Sequence, residues 1–236
     1  EINQFREVPD DHSIHLVTTH SGDLSLQKYP VKKVEIDLSN HYNDDFGVFD
    51  QTIKDNLTKN NEKGLIMMHG SPGTGKTTYI RHLISTIERR FIYLPPNLAA
   101  NISHPGFIPF LSSYPDSVLI IEDAEEILAN RNSSGNPAIS NLLNLGDGLL
   151  SDCLNIRVIC TFNTHISRID PALLRKGRII SKYEFKPLEI PKVKRLFEQK
   201  NIDHAVEKTM SLAEIFNLAN PSFAEESKKQ LGFFAN

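Results

Sequence analysis

The chain has little of what marks a membrane, secreted or nucleic-acid-coating protein. None of its apolar stretches approaches the roughly 18 residues needed to cross a bilayer, and the opening EINQFREVPDD resembles no signal peptide. It holds only two cysteines, Cys153 and Cys160, without C-x-x-C spacing. That excludes a disulfide framework, and both read as structural thiols of a reducing compartment, Cys160 inside an apolar run. A strong charge of one sign is missing too. A formal net charge of −3 gives no basic footprint for nucleic acid and leaves only a local groove open. His12, His15 and His20 lack regular metal spacing and read as solvated, while His69 reads as a packed strand-end residue, so no transition metal is assigned. What remains is an ordinary globular composition, 39% apolar and 23% charged, expected to be soluble and cytoplasmic.

Hydrophobic patterning divides the chain in three. HLVTT and VKKVEIDL, rich in branched residues and separated by Ser21, Gly22 and Asp23, predict a small antiparallel β segment. Phe46, Phe49, Ile53 and Leu57 then recur at helical spacing. From Gly64 onward, apolar runs at 65–69, 91–94, 118–121 and 156–162 alternate with helical stretches at 77–90, 108–114 and 138–150, and a fifth strand is expected at 179–185. All-apolar strands in βα alternation predict a parallel sheet covered on both faces. After Pro187 the pattern is helical only, at 192–199, 212–218 and 223–229, which predicts a small lid. Asn130–Asn136 reads as a polar loop.

The strongest motif is Gly70-Ser71-Pro72-Gly73-Thr74-Gly75-Lys76-Thr77, a complete G-x-x-x-x-G-K-[ST] directly after an apolar strand and directly before a helix. In that setting backbone N–H groups and the positive helix end converge on phosphate oxygens. Lys76 is expected to neutralise the β and γ phosphates, Thr77 to hold magnesium, and Thr78 to complete the nucleotide-binding set. A P-loop alone does not decide what happens to the triphosphate. The strand Val118–Ile121 ends in Glu122-Asp123, where one carboxylate is placed to hold Mg²⁺ through water and the next to deprotonate the attacking water. The usual order of such a pair is Asp then Glu, and here it is inverted. An acidic helix start including Glu125 and Glu126 would also put carboxylates there. Asn163, after the fourth strand, can reach the γ phosphate or the water; on its own it would be an ordinary turn residue.

Together GSPGTGKT, LIIED, TFN and Ile169-Asp-Pro-Ala-Leu-Leu-Arg175-Lys-Gly-Arg178 resemble the AAA+ family, whose last motif commonly reads LDPALLRPGR. NLLNLGDGLL, the inverted pair and IDPALLRKGR most resemble the subfamily of the mitochondrial translocase of a folded Rieske iron–sulfur protein and its bacterial relatives. The likeness covers about residues 64–200. It implies ATP and Mg²⁺ as ligands, ATP hydrolysis, and a homo-oligomeric, hexamer-like ring in which Arg175 and Arg178 reach the neighbouring subunit's nucleotide. Some features depart from the family. LPPNLAAN stands where many unfoldases carry an aromatic-hydrophobic-Gly pore loop, Lys176 replaces a proline, and Arg195 is not assigned as a further nucleotide sensor.

The expected architecture is an α/β P-loop core with a five-stranded parallel sheet at 43–186, an N-terminal β segment at 1–42 and a helical lid at 187–236. The expected function is ATP hydrolysis coupled to remodelling or translocation of a protein client. The alternatives are a nucleic-acid-associated motor or loader and an ATP-binding switch with little turnover. A small-molecule kinase is disfavoured.

Overall fold

The computed structural model describes residues 12–125, 137–147, 151–163, 169–175 and 177–219. Its centre is a seven-stranded sheet: β1 Ser13–His20, β2 Asp23–Pro30, β3 Gly64–His69, β4 Phe91–Leu94, β5 Val118–Ile121, β6 Arg157–Phe162 and β7 Ile179–Glu184, in the spatial order β2-β1-β4-β5-β6-β3-β7. The five expected parallel strands are all present, and two more come from the N-terminal hairpin. β1 pairs with β2 antiparallel but with β4 parallel, so the hairpin extends the sheet.

The second N-terminal strand lies earlier than its branched residues indicated. Ser21 and Gly22 take φ of 53° and 92°, a tight turn that sets His20 opposite Asp23. Register in a hairpin follows from its turn, so DLSLQKYP pairs along β1 and VKKVEIDL is left outside any strand. His15 is half-buried and its Nδ1 lies 3.3 Å from the carbonyl of Phe91, so it joins β1 to β4 and is not a solvated side chain.

The inner strands alternate between two cores, as period-2 side chains must. Ile66, Met68, Ile120 and Ile159 face a layer that holds α2 (Phe46–Thr58), preceded by the short α1 (Leu38–His41), and α3 (Lys76–Thr86). Leu65, Met67, Ile121 and Val158 face the other layer, with α4 (Phe107–Ser112) and α5 (Pro137–Asp147). Cys160 is fully buried there, and burial pushes its thiol up to about 12. Cys153, by contrast, is exposed, on the solvent side of a short helix at Ser151–Leu154. The region LPPNLAAN becomes a strand end followed by a 3₁₀ helix at Pro96–Ser103.

The lid begins after Phe185. Helix Ile190–Lys200 and helix Leu212–Ala219 are joined by a segment whose Met210 pairs with Leu188. Leu212 and Ile215 are buried against the core. The helix expected at 223–229 and the loop at 130–136 lie outside the described residues. Among the described residues no helix is long and apolar enough to cross a membrane.

Candidate nucleotide site

β3 lies between β6 and β7, and β6 lies beside β5, so the C-terminal ends of β3, β5 and β6 open at one edge of the sheet. In open α/β sheets that edge is where ligands bind. The loop from Gly70 to Thr77 leaves β3 there. Gly70 has φ 137°, and a Cβ on it would lie 2.2 Å from the carbonyl oxygen of Phe185. Only glycine fits. Gly70→Ala is therefore expected to cost at least about 2 kcal/mol in thermal unfolding, through clash and unfavourable φ together. Gly75, at φ 99°, precedes the first turn of α3 and leaves that turn's N–H groups facing the loop.

Lys76 is almost wholly buried, and its Nζ donates to the carbonyls of Gly70 (2.8 Å) and Ser71 (3.0 Å). Burial pushes its ammonium below the usual lysine range, while Asp123, Glu125 and Glu122 pull it back up. The hydroxyl of Thr74 ties the loop to the Ser71 carbonyl at 2.8 Å.

The inverted acidic pair splits between two environments. Thr77 Oγ1 donates to Glu122 Oε1 at 2.5 Å, so the hydroxyl and the first carboxylate meet. Asp123 accepts from the Asn163 amide, Nδ2 to Oδ1, at 2.6 Å. Its own backbone is in the left-handed region, φ 50°, and its N–H donates to Thr161 Oγ1 at 3.0 Å. The backbone N–H of Asn163 donates to the Glu125 carboxylate.

These groups share a cleft of about 370 Å³, lined by Pro72, Gly73, Gly75, Lys76, Thr77, Thr78, Asp123, Thr161 and Asn163, with Ala213 and Phe216 from the lid. The lid is held against the loop by a backbone bond from Ala213 N–H to the Gly73 carbonyl, 3.0 Å.

The structure brings Lys76, Thr77, Thr78, Asp123 and Asn163 together around this cleft, with Glu122 reaching it through Thr77. It does not bring the arginines there. The carbonyl of Arg178 accepts the Leu65 N–H at 2.8 Å, at the start of β3, while the P-loop leaves the strand's other end. Five residues of strand, Leu65 to His69, separate the two, roughly 17 Å at about 3.3 Å per residue. Arg178 Nη1 donates to the Ala172 carbonyl at 2.8 Å, and Arg175 is exposed. Lys176 lies outside the described residues.

Sequence reasoning missed three contributors. Tyr42, in the connection before α2, donates its hydroxyl to the Gly75 carbonyl at 3.0 Å and stacks on Phe46 with centroids 4.1 Å apart. Nothing in its neighbourhood signalled that reach. Thr161 had a signal, a hydroxyl within a buried strand directly before the Asn163 turn. Phe216 was hidden because helical periodicity marked only the core face of its helix.

Residues 66–187 match the ATPase family associated with various cellular activities, AAA. The chain belongs to that family. The resemblance seen in the P-loop and the arginine motif is thereby established for the core. Among curated proteins, the probable mitochondrial chaperone bcs1 of Schizosaccharomyces pombe is 29% identical over 166 residues, 67% of this chain and 36% of its own. AAA-ATPase At5g17760 of Arabidopsis thaliana is 32% identical over 127 residues, 48% of this chain and 25% of its own. The human mitochondrial chaperone BCS1 is 28% identical over 124 residues, 48% and 29% respectively. The chain thus spans about a third of the length of the curated relatives it matches.

Proposed function

We propose that the chain binds ATP in this cleft, hydrolyses it, and uses the cycle to remodel or translocate a protein client from a homo-oligomeric ring. The observation that carries the reading is the division of labour at the end of β5. Asp123 lines the cleft with Lys76 and Asn163, while Glu122 pairs with the Thr77 hydroxyl. The alternative of a switch with little turnover has less support, because each carboxylate of the inverted pair has its own polar partner, Thr77 for Glu122 and Asn163 for Asp123.

Lys76, the loop N–H groups and the start of α3 receive the triphosphate. Thr77 and Glu122 offer the oxygen donors that a hard dication takes, and Mg²⁺ held there supplies charge neutralisation on the β and γ phosphates. Asp123 accepts the proton of a water that attacks the γ phosphorus. The bond from that phosphorus to the bridging oxygen breaks, and ADP and phosphate leave. Asn163 orients Asp123 and the water. Arg178 sits too far from its own cleft to act on it, and Arg175, whose carbonyl accepts the Arg178 N–H at 3.3 Å, lies beside it, which supports their acting on the nucleotide of the next subunit.

The division proposed is an N-terminal β segment and linker at 1–42, a core at 43–186 and a lid at 187–236, with the lid angle changing through the cycle. The protein client is proposed from the chaperone names of the relatives, not a nucleic acid, given the near-neutral charge. A cytoplasmic setting rests on sparse cysteine use alone.

Lys76→Ala is expected to abolish tight ATP binding, because it removes the loop's ammonium from the β and γ phosphates. Calorimetric titration with Mg·ATP checks it. An unchanged dissociation constant would move the binding site elsewhere. A pull-down with a hydrolysis-blocked variant would identify the client.

A further inference from the structure

We infer that Glu125 is a positioning residue for hydrolysis, acting through the backbone of Asn163. The inference rests on the ATPase reading above and adds a member to its machinery. Their place at the end of β5 supplied roles for Glu122 and Asp123, and an acidic residue two positions later has the bland explanation of a favourable charge at a helix start.

The geometry gives it a more specific task. Besides the bond from Asn163 Nδ2 to Asp123 Oδ1, three hydrogen bonds among the described residues stitch the ends of β5 and β6. Asp123 N–H donates to Thr161 Oγ1 at 3.0 Å, and Ala124 N–H donates to the Thr161 carbonyl at 2.9 Å. The third runs the other way, from the Asn163 N–H to Glu125 Oε1. Of the three, only this one holds the residue whose amide touches Asp123. Phe162, one residue earlier, is fully buried and its carbonyl accepts the Gly70 N–H at 3.2 Å, so β6 is anchored to the P-loop up to that point. Asn163 itself is exposed, and its side-chain amide meets Asp123 at 2.6 Å. Between the anchored Phe162 and the working amide stands one peptide, and Glu125 holds its N–H.

Glu125 is half-buried and is absent from the residues lining the cleft, which disfavours it as the base. Its oxygen accepts a main-chain N–H, and a glutamine oxygen accepts the same bond. A charged but shorter aspartate does not reach. Positioning therefore predicts an order among variants opposite to the one that charge or proton transfer predicts. A reacting geometry displaced by about 1 Å costs up to on the order of 10²-fold in rate.

The test uses E125Q, E125D and E125A in the same protein, with Kd for ATP, kcat and the pH–rate profile measured for each. E125A and E125D are expected to lose at least about tenfold in kcat with Kd within about twofold of wild type, and E125Q to recover most of that loss. The pH profile should keep its shape in all three. Combining E125A with N163A should slow N163A little further, because both act through one amide. Equal loss in E125Q and E125A, or a faster E125D than E125Q, would overturn the inference and make the carboxylate charge the active property. Wild-type turnover in E125A would overturn it too. If the wild-type protein itself binds no ATP, it is the ATPase reading that fails. The two conservative variants keep the test sound if E125A is poorly folded.

Discussion

Asp123→Asn will bind ATP with wild-type affinity and hydrolyse it on the order of 10²- to 10⁴-fold more slowly, the usual contribution of a general base. The argument is local. The substitution keeps the side-chain length, so the backbone bond to Thr161 Oγ1 and the left-handed turn are retained. What it removes is the basic oxygen that faces the cleft beside Lys76. Glu122→Gln should behave differently. Its carboxylate meets Thr77 at 2.5 Å, so the variant is expected to raise the Mg²⁺ needed for both binding and turnover. Phosphate release and calorimetry across a magnesium series separate the two. An unaltered rate in Asp123→Asn would assign the base to another carboxylate, with Glu122 first in line.

Arg178→Ala should bind ATP normally and hydrolyse it on the order of 10³-fold more slowly, as removal of a transition-state arginine does. Its backbone sits at the start of β7 beside Leu65, at the far end of β3 from the loop, so no rotamer takes the guanidinium into its own cleft. The side chain bonds the Ala172 carbonyl, so some loss of local order is expected as well. A thermal melt distinguishes that from catalysis, because a folded but inactive variant is the expected result. Steady-state turnover and ATP affinity, measured on the same preparation, give the rest.

Much of this site was legible in the sequence because phosphate chemistry demands particular residues at fixed spacing. A loop that must turn on φ 137° at Gly70 and φ 99° at Gly75, then present an ammonium and a hydroxyl, permits few alternatives. The inner strands were legible for a similar reason, since burial on both faces leaves unbroken apolar runs such as GLIMMH and RVICTF. Long-range partners were not. Tyr42 reaches Gly75 across 33 positions of sequence, and Glu125 meets Asn163 across 38, contacts that no periodicity encodes. The hairpin misled for a third reason. VKKVEIDL has the better strand composition, but the Ser21-Gly22 turn sets the register, and DLSLQKYP takes the partner position. β propensity reflects fit to a half-buried surface, so it yields where a turn dictates pairing.

The most direct test of the account mixes two inactive proteins. Lys76→Ala retains the arginines and loses the loop's cation, whereas Arg178→Ala retains the loop and loses an arginine. In a head-to-tail ring assembled at random from equal amounts, about a quarter of interfaces pair an intact loop with an intact arginine. ATPase activity is predicted to return on mixing, toward that fraction of wild type. No recovery, with co-assembly shown by sizing, would contradict the account, because the arginine would then act within its own chain or not at all.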